Sequence, residues 1–198
     1  MDGRSAKIER KTKETAITVE LDLDGSGKYE ISTGIGMLDH MLESLAKHAS
    51  FDLRVRAKGD IDRDTHHLLE DIGLTLGQAL NQALGERRGI TRFAHAIVPL
   101  DECLAMVAVD LSGRPFASVE LPFVRDQVGE LPTENVAHLL ESFATEGRLN
   151  LHVRMLAAES NDHHIIEAAF KGLARSLRIA VAIDERNAGQ IPSTKDLL

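Results

Sequence analysis

The sequence predicts an α+β fold of two similar halves related by internal duplication, each a four-stranded sheet with two helices on one face. The first observation is a repeat. Residues 39–45 (DHMLESL) recur as 137–143 (AHLLESF), and residues 66–70 (HHLLE) recur as 163–167 (HHIIE), at offsets of 98 and 97 residues. The second is that strand-like and helix-like segments follow the same order in each half: strand, strand, helix, strand, helix.

The predicted strands are segments in which apolar and polar residues alternate. Residues 17–32 and residues 104–121 each contain a glycine-containing turn within such a segment, so each is predicted to form a β-hairpin. Residues 51–60 (FDLRVRAKGD) and residues 149–158 (LNLHVRMLAA) predict one further strand in each half.

The predicted helices carry apolar residues at i, i+3 and i+4, which places those residues on one helix face. Residues 38–49 and residues 135–147 follow this spacing, one segment in each half. Residues 66–84 and residues 163–182 are longer and strongly apolar on one side. Each predicted helix of the first half therefore has a counterpart in the second.

The halves are expected to divide after residue 95, with the first at residues 1–95 and the second at residues 96–198. Residues 85–102 join them and contain no low-complexity linker, so we expect the halves to pack as one unit. Residues 187–198 have the Gly, Pro and Ser of an irregular tail.

Composition excludes some classes of function. The formal net charge is −8 and the pI is about 5.6, which argues against a general nucleic-acid binder because phosphate backbones attract positively charged surfaces. No apolar run is long enough to cross a bilayer and the N-terminus lacks the apolar stretch of a signal peptide, so we expect a cytoplasmic protein. The single cysteine, Cys103, lies in an apolar run and is interpreted as a small buried side chain.

The residues that carry the chemistry belong to the pattern His-His-x-x-Glu, which occurs on two predicted helices. Positions i and i+3 or i+4 share a helix face, whereas neighbours are about 100° apart, so Glu70 can share a metal with only one nearby histidine. If His67 and Glu70 chelate one ion, His66 can serve a second. Further candidate ligands come from the duplicate motif and from matching places on the other two helices: His163, His164, Glu167, His40 and His138.

A single histidine on an apolar helix is more often a structural or surface residue than a ligand. The recurrence of two adjacent histidines with the same downstream Glu favours metal binding over that interpretation. His95 and His152 are interpreted as structural or surface residues, and His48 is left undecided. Imidazole and carboxylate ligands suit Mn, Fe, Ni, Co or Zn, and the spacing does not choose among these metals.

Cationic residues near the motifs indicate a small phosphorylated ligand: Arg92, Arg114, Lys171 and the segment Ser193–Lys195, which offers two hydroxyls and an ammonium. Taken singly, each cation is more often a solvated surface charge, and Arg114 is equally well explained as a turn residue. The alternatives to a metal-dependent enzyme of Lewis-acid type are a di-metal phosphoester hydrolase and a noncatalytic metal-binding assembly protein.

Seven motifs, in order along the chain, match a known family. They are RKTKET at 10–15, GMLDHM at 36–41, HHLLED at 66–71, PLDE at 99–102, DLSGRP at 110–115, HHIIEA at 163–168 and PSTK at 192–195. On these motifs the sequence resembles the imidazoleglycerol-phosphate dehydratase family over essentially its whole length.

The resemblance implies a 24-subunit homo-oligomer with two Mn ions in each active site, formed where subunits meet. The implied metal ligands are His40, His66, His67, Glu70, His138, His163, His164 and Glu167. The implied substrate contacts are Glu14, His48, Arg92, Arg114, Lys171, Ser193, Thr194 and Lys195. The implied catalytic residues are Glu14, His67, Glu70, His164 and Glu167.

The implied reaction is the metal-dependent dehydration of D-erythro-imidazoleglycerol phosphate to imidazole-acetol phosphate, a step of histidine biosynthesis. In this hypothesis Glu14 or a metal-bound water removes a proton from carbon while an acid assists the departure of hydroxide. The expected partner is a small phosphorylated imidazole, and neither nucleic acid nor a membrane is expected to bind.

Overall fold

The computed structural model describes residues 3–198, and each half of this part of the chain forms a mixed sheet with two long helices. The first half contains β1 (Ser5–Lys11), β2 (Thr15–Asp22), β3 (Tyr29–Ser32), α1 (Gly36–Ala49), β4 (Asp52–Gly59) and α2 (His66–Leu84). The second half contains β5 (Phe93–Leu100), β6 (Cys103–Asp110), β7 (Phe116–Glu120), β8 (Gln127–Val128), β9 (Leu131–Pro132), α3 (Glu134–Gly147), β10 (Asn150–Ala157) and α4 (Asp162–Ala180). A short 3-10 helix, Glu185–Asn187, lies in the tail.

The two halves have the same sheet topology. The strand order is β1-β2-β4-β3 in the first sheet and β5-β6-β10-β7 in the second. In each sheet the last strand runs parallel to its neighbour and the other pairs are antiparallel. Helices α1 and α2 pack on the first sheet, and α3 and α4 on the second. The predicted fold class and internal duplication are therefore confirmed.

The predicted hairpins at residues 17–32 and 104–121 are wrong, although the strands themselves exist. β2 and β3 do not pair with each other because β4 lies between them, and β10 separates β6 from β7 in the same way. β3 runs parallel to β4, and a parallel pair needs a crossover connection, which α1 provides. Arg114 consequently lies in a connection between non-adjacent strands and not in a hairpin turn.

The hairpins of the structure are β1–β2 and β5–β6. No strand is predicted from the sequence at β1, and β5 lies in the region predicted to join the halves. Both are edge strands with a single buried residue, Ala6 in β1 and Ala94 in β5, and β5 also carries Phe93 and Ile97 on its exposed face, so apolar and polar residues do not alternate clearly. The second sheet begins at Phe93, so the expected division after residue 95 falls inside β5.

The four predicted helices are confirmed, and their ends differ from the predicted ones by at most two residues. The i, i+3, i+4 spacing identifies them well because their buried faces are continuous. In α1, for example, Leu38, Met41, Leu42 and Leu45 are all buried. Within residues 3–198, no helix combines the length and the apolar character that a membrane crossing needs.

Helices of one half pack against helices of the other, α2 against α3 and α1 against α4. The buried hydrophobic core is continuous from Ala6 in β1 to Val181 after α4 and includes side chains of both halves. The helices of each half are therefore covered by the helices of the other half.

The contact between α2 and α3 is close enough to require glycine. A Cβ added to Gly73 would lie 2.5 Å from the carbonyl oxygen of Leu139, and one added to Gly77 would lie 2.5 Å from that of Phe143. Backbone atoms cannot move aside as a flexible side chain can. These two glycines, one helical turn apart on α2, therefore set the distance between the two helices.

We expect Gly77→Ala to lower the free energy of unfolding by about 1–3 kcal/mol, because the added methyl group must push α3 away from α2. Thermal or urea unfolding of the purified protein measures this loss. The control is Gly36→Ala at the start of α1, where an added Cβ meets no atom within 4 Å. That variant should match the wild type or gain up to about 1 kcal/mol from the reduced freedom of the unfolded chain. Equal stability of the two variants would contradict the proposed role of the close contact.

Candidate metal centre

The first ligand cluster lies where α1 packs on α4, and we call it the α1/α4 cluster. It consists of His40 from α1 with His163 and Glu167 from α4, each offering a ligand atom within 4.8 Å of the other two. Nε2 of His163 lies 3.2 Å and Nε2 of His40 lies 3.9 Å from Oε2 of Glu167. The cluster thus depends on the packing between the two halves.

The second ligand cluster, the α2/α3 cluster, is its counterpart in the duplicated fold. It consists of His66 and Glu70 from α2 with His138 from α3. Nε2 of His138 lies 3.6 Å from Oε1 of Glu70, and the rings of His66 and His138 stack with their centroids 4.4 Å apart. Asn135 of α3 contacts Nδ1 of His66 at 3.3 Å and so helps to orient that ring.

In both clusters the glutamate shares its helix face with the first histidine of the motif, at i and i+4. His67 is the partner of Glu70 in the sequence-based hypothesis, but the structure places His66 there instead. The rings of His66 and His67 are nearly perpendicular, at 84°, with centroids 6.0 Å apart. His164 is turned away from the α1/α4 cluster in the same manner. Each cluster therefore has two imidazoles and one carboxylate, and the second histidine of each motif lies outside it.

The two remaining histidines contact carboxylates of their own half. Nδ1 of His67 lies 3.5 Å from Oε2 of Glu14 and 3.9 Å from Oδ1 of Asp60. Nδ1 of His164 lies 3.0 Å from Oε1 and 3.1 Å from Oε2 of Glu102. The candidate acid or base Glu14 is thus beside the candidate ligand His67, as an active site built from both would need.

Asp60 and Glu102 have no role in the sequence-based prediction of the site. The duplication contains the signal that could have identified Glu102, because Glu14 immediately precedes β2 and Glu102 immediately precedes the equivalent strand β6. Asp60 follows β4, and nothing in the sequence around it distinguishes it from a loop residue.

A buried carboxylate holds Glu14 near its histidine. Asp71 is only 5% exposed. It accepts a hydrogen bond from Nε of Arg10 at 2.7 Å and another from the hydroxyl of Thr15. These bonds tie the β1–β2 hairpin to α2 and fix the turn that carries Glu14 over the start of α2, where His67 lies.

The electrostatics of the α1/α4 cluster favour an ionised Glu167. Burial is the largest single influence and raises the pKa of this carboxyl, but the hydrogen bond and charge of Lys171, 2.9 Å away, together with the charges of His40 and His163, lower it, so the net pKa is below the ordinary value. The pKa of His48 is lowered by burial and then by the charge of Lys171. The structure therefore brings His48 and Lys171, two of the predicted phosphate contacts, close to this cluster.

The donor atoms of both clusters suit a divalent transition-metal ion. Among the residues that the structure describes, Nε2 of His138 is one of three buried side-chain polar atoms without a hydrogen-bond partner. Such an atom costs free energy unless it is satisfied from outside the chain. Two imidazoles and a carboxylate form a common ligand set for Mn, Fe, Co, Ni or Zn, and three protein ligands leave further coordination positions for substrate.

The other predicted phosphate contacts gather around the C-terminal tail. Nε of Arg92 donates to Asp110 at 2.8 Å, and Nη1 of Arg92 donates to the carbonyl of Pro192 at 2.7 Å. Arg92 thereby holds the tail just before Ser193–Lys195. A Cβ on Gly113 would lie 2.5 Å from the carbonyl carbon of Leu198, so the end of the tail packs against the loop that carries Arg114.

This tail region lies far from the α1/α4 cluster of the same chain. The backbone N–H of Arg92 donates to the carbonyl of Ala180, the last residue of α4. Glu167 lies near the start of that helix, about 20 Å from Ala180 along the helix axis. One chain therefore keeps its α1/α4 cluster and its tail cations at opposite ends of α4.

A family model, full-length relatives and solved structures all match this chain to the same family. The family model described as imidazoleglycerol-phosphate dehydratase matches residues 33–177. The imidazoleglycerol-phosphate dehydratase of Roseiflexus sp. is 56% identical over 195 residues, which cover 98% of each chain.

Two solved structures have the same fold. The enzyme of Pyrococcus furiosus superposes with a TM-score of 0.83 at 40% identity and covers 96% of this chain and 100% of its own. That of Staphylococcus aureus superposes with a TM-score of 0.82 at 32% identity and covers 91% of this chain and 99% of its own. With its duplicated fold, its paired ligand clusters and these full-length relatives, the chain belongs to the imidazoleglycerol-phosphate dehydratase family.

Proposed function

We propose that this protein dehydrates D-erythro-imidazoleglycerol phosphate to imidazole-acetol phosphate in histidine biosynthesis, with two divalent metal ions, Mn in our proposal, in each active site. The observation that carries the proposal is the pair of equivalent three-ligand clusters, one of which contains the buried, unpartnered Nε2 of His138. A metal ion bound there supplies Lewis acidity toward the imidazole ring of the substrate.

The chain itself supplies proton transfer and positioning. Glu14 is half-exposed, and its Oε2 lies 3.5 Å from Nδ1 of His67, so it can accept a proton from the substrate and return one to the departing hydroxyl. His48 and Lys171 lie together near the α1/α4 cluster and can hold phosphate oxygens. Such positioning removes much of the entropic cost of bringing the reacting groups together.

We propose further that each active site is completed by a second copy of the chain. The substrate is shorter than a three-residue extended peptide, roughly 10 Å, whereas about 20 Å of helix separates Glu167 from the residues around Arg92. His67 and His164 belong to neither cluster of their own chain, and each lies instead with two carboxylates, His67 with Glu14 and Asp60 and His164 with Asp101 and Glu102. A neighbouring subunit can add the third imidazole to each cluster and can bring its Arg92, Arg114 and tail to the phosphate.

The outer face of the second sheet supports assembly of the chain into a homo-oligomer, which we propose has 24 subunits. Phe93, Ile97 and Phe116 are 58%, 54% and 55% exposed on that sheet. Both sheets carry an ion pair on the outer face, Arg54 with Glu30 on the first and Arg154 with Glu120 on the second, but the first sheet has one large exposed apolar side chain there, Tyr29. Exposed apolar patches of this kind are typical of surfaces that other subunits cover.

Removing one ligand should remove one ion. We expect wild-type protein to hold two Mn ions per chain, and we expect His138→Ala to hold one and to lose activity, because the α2/α3 cluster keeps only His66 and Glu70. Metal analysis of desalted protein together with a dehydration assay measures both. The control is Glu86→Gln, a substitution of an exposed carboxylate outside the clusters, which should keep both ions. Full activity in a metal-depleted His138→Ala protein would contradict the mechanism.

Lys195→Ala should raise KM at least tenfold while kcat changes less, because the lost ammonium contacts the phosphate and not the reacting atoms. The matched control is Lys58→Ala, which removes an exposed lysine from β4. Steady-state kinetics at several substrate concentrations measures the difference. An unchanged KM in Lys195→Ala would remove this residue from the site.

Mixing impaired variants, assayed at a substrate concentration well below the KM of Lys195→Ala, tests whether a site contains residues of two chains. His163→Ala removes a ligand of the α1/α4 cluster, and Lys195→Ala alters the tail. If the cluster and the tail of one site come from different chains, disassembling and reassembling the mixed variants should restore activity above that of either variant alone. Activity that stays at the weighted mean of the two would place both parts in one chain.

The products distinguish this function from phosphoester hydrolysis, which the same residue types could also perform. The proposed reaction forms a ketone and leaves the phosphate ester intact. Release of inorganic phosphate without formation of ketone would overturn the proposal.

A further inference from the structure

We infer that Glu102 is a positioning residue that orients His164, so that Nε2 of His164 is presented as a metal ligand to a neighbouring subunit. This inference rests on the proposed function, because it assumes that His164 binds an ion. Glu102 does not touch substrate in this scheme and acts only through the histidine.

The contact between Glu102 and His164 is well defined. Nδ1 of His164 lies 3.0 Å from Oε1 and 3.1 Å from Oε2 of Glu102, so the carboxylate accepts the hydrogen bond with either oxygen. Both side chains are about three-quarters buried. A proton on Nδ1 that is donated to Glu102 leaves the lone pair on Nε2, the nitrogen on the other side of the ring.

Glu102 is held by a rigid part of the fold. It lies in the turn of the β5–β6 hairpin, where Leu100 and Cys103 form the last pair of the ladder. Cys103, the next residue, is buried in a small cluster with Ile165, which follows His164 on α4. The turn and the start of α4 are therefore packed together, and the carboxylate cannot drift away from the ring without disturbing this packing.

Comparison with Glu14, the equivalent residue in the first half, shows that the contact of Glu102 is shorter and more buried. Its counterpart Glu14 lies 3.5 Å from Nδ1 of His67, beyond a good hydrogen bond for a charged acceptor, and its side chain is 48% exposed. Glu102 is half as exposed, at 24%. The buried, short contact suits a residue that holds a ring in place, whereas the looser and more exposed Glu14 suits a residue that exchanges protons.

A carboxylate behind a ligand histidine has two effects. It fixes which ring nitrogen carries the proton, and it makes the other nitrogen a stronger donor to the metal. Loss of such a partner typically weakens metal binding 10–100-fold. Glu102 should therefore influence metal affinity even though it is not itself a ligand.

The test compares Mn²⁺ binding by full-length wild type, Glu102→Ala and Glu102→Gln, using chelator competition. We expect Glu102→Ala to lower the affinity for one of the two Mn²⁺ ions about 10–100-fold. Glu102→Gln keeps a neutral acceptor oxygen and should rescue part of this loss. Co²⁺-substituted protein should show a changed visible absorption spectrum for the affected ion, which a change in overall stability alone would not produce.

The control is Glu130→Ala, the same substitution in the turn of the β8–β9 hairpin. Glu130 is exposed and belongs to none of the groups of histidines and carboxylates that could hold an ion. We expect affinity within twofold of the wild type. Equal weakening in Glu130→Ala and Glu102→Ala, or none in Glu102→Ala, would overturn the role of Glu102. Wild-type protein that binds no Mn²⁺ would overturn the proposed function as well.

Discussion

The packing of helices from one half against helices of the other is the constraint on which the site depends. Gly73 and Gly77 bring the backbone of α2 so close to α3 that no Cβ fits between them. At this separation, Nε2 of His138 reaches within 3.6 Å of Glu70 on the facing helix. The contact that completes the hydrophobic core is thus the same contact that assembles the ligands, so stability and site geometry cannot vary independently in this fold.

Local patterns predicted much of this structure. Helix positions followed from apolar spacing, and the candidate ligands followed from the repeated His-His-x-x-Glu motif. The pairing of the strands did not follow from the sequence. Alternation of apolar and polar residues indicates which side chains are buried, but it does not indicate which strand lies alongside. The choice of His66 rather than His67 as the partner of Glu70 was also beyond sequence reasoning, since both spacings, i+3 and i+4, place residues on one helix face. The position of α3 decides between them.

The roles of two charged residues, Arg92 and Glu102, depend on contacts that only the folded structure shows. Arg92 was selected as a phosphate contact, but its side chain is only 12% exposed and also bonds to Asp110 and to the carbonyl of Pro192. These bonds hold the tail against the loop before β5. Glu102 lies in a hairpin turn, where acidic side chains are common because they are exposed to water. Only the folded structure shows that its carboxylate contacts Nδ1 of His164.

The cross-half contacts have the pattern of a twofold symmetric dimer. Exchanging the halves turns α1 into α3 and α4 into α2, so the pairing of α1 with α4 becomes the pairing of α3 with α2. Contacts of this isologous kind arise when two identical subunits meet about a twofold axis. The polypeptide between Leu84 and Phe93 therefore acts as a covalent link within a pseudo-homodimer, and a half-length ancestor could have formed both clusters by self-association before the two copies became one gene.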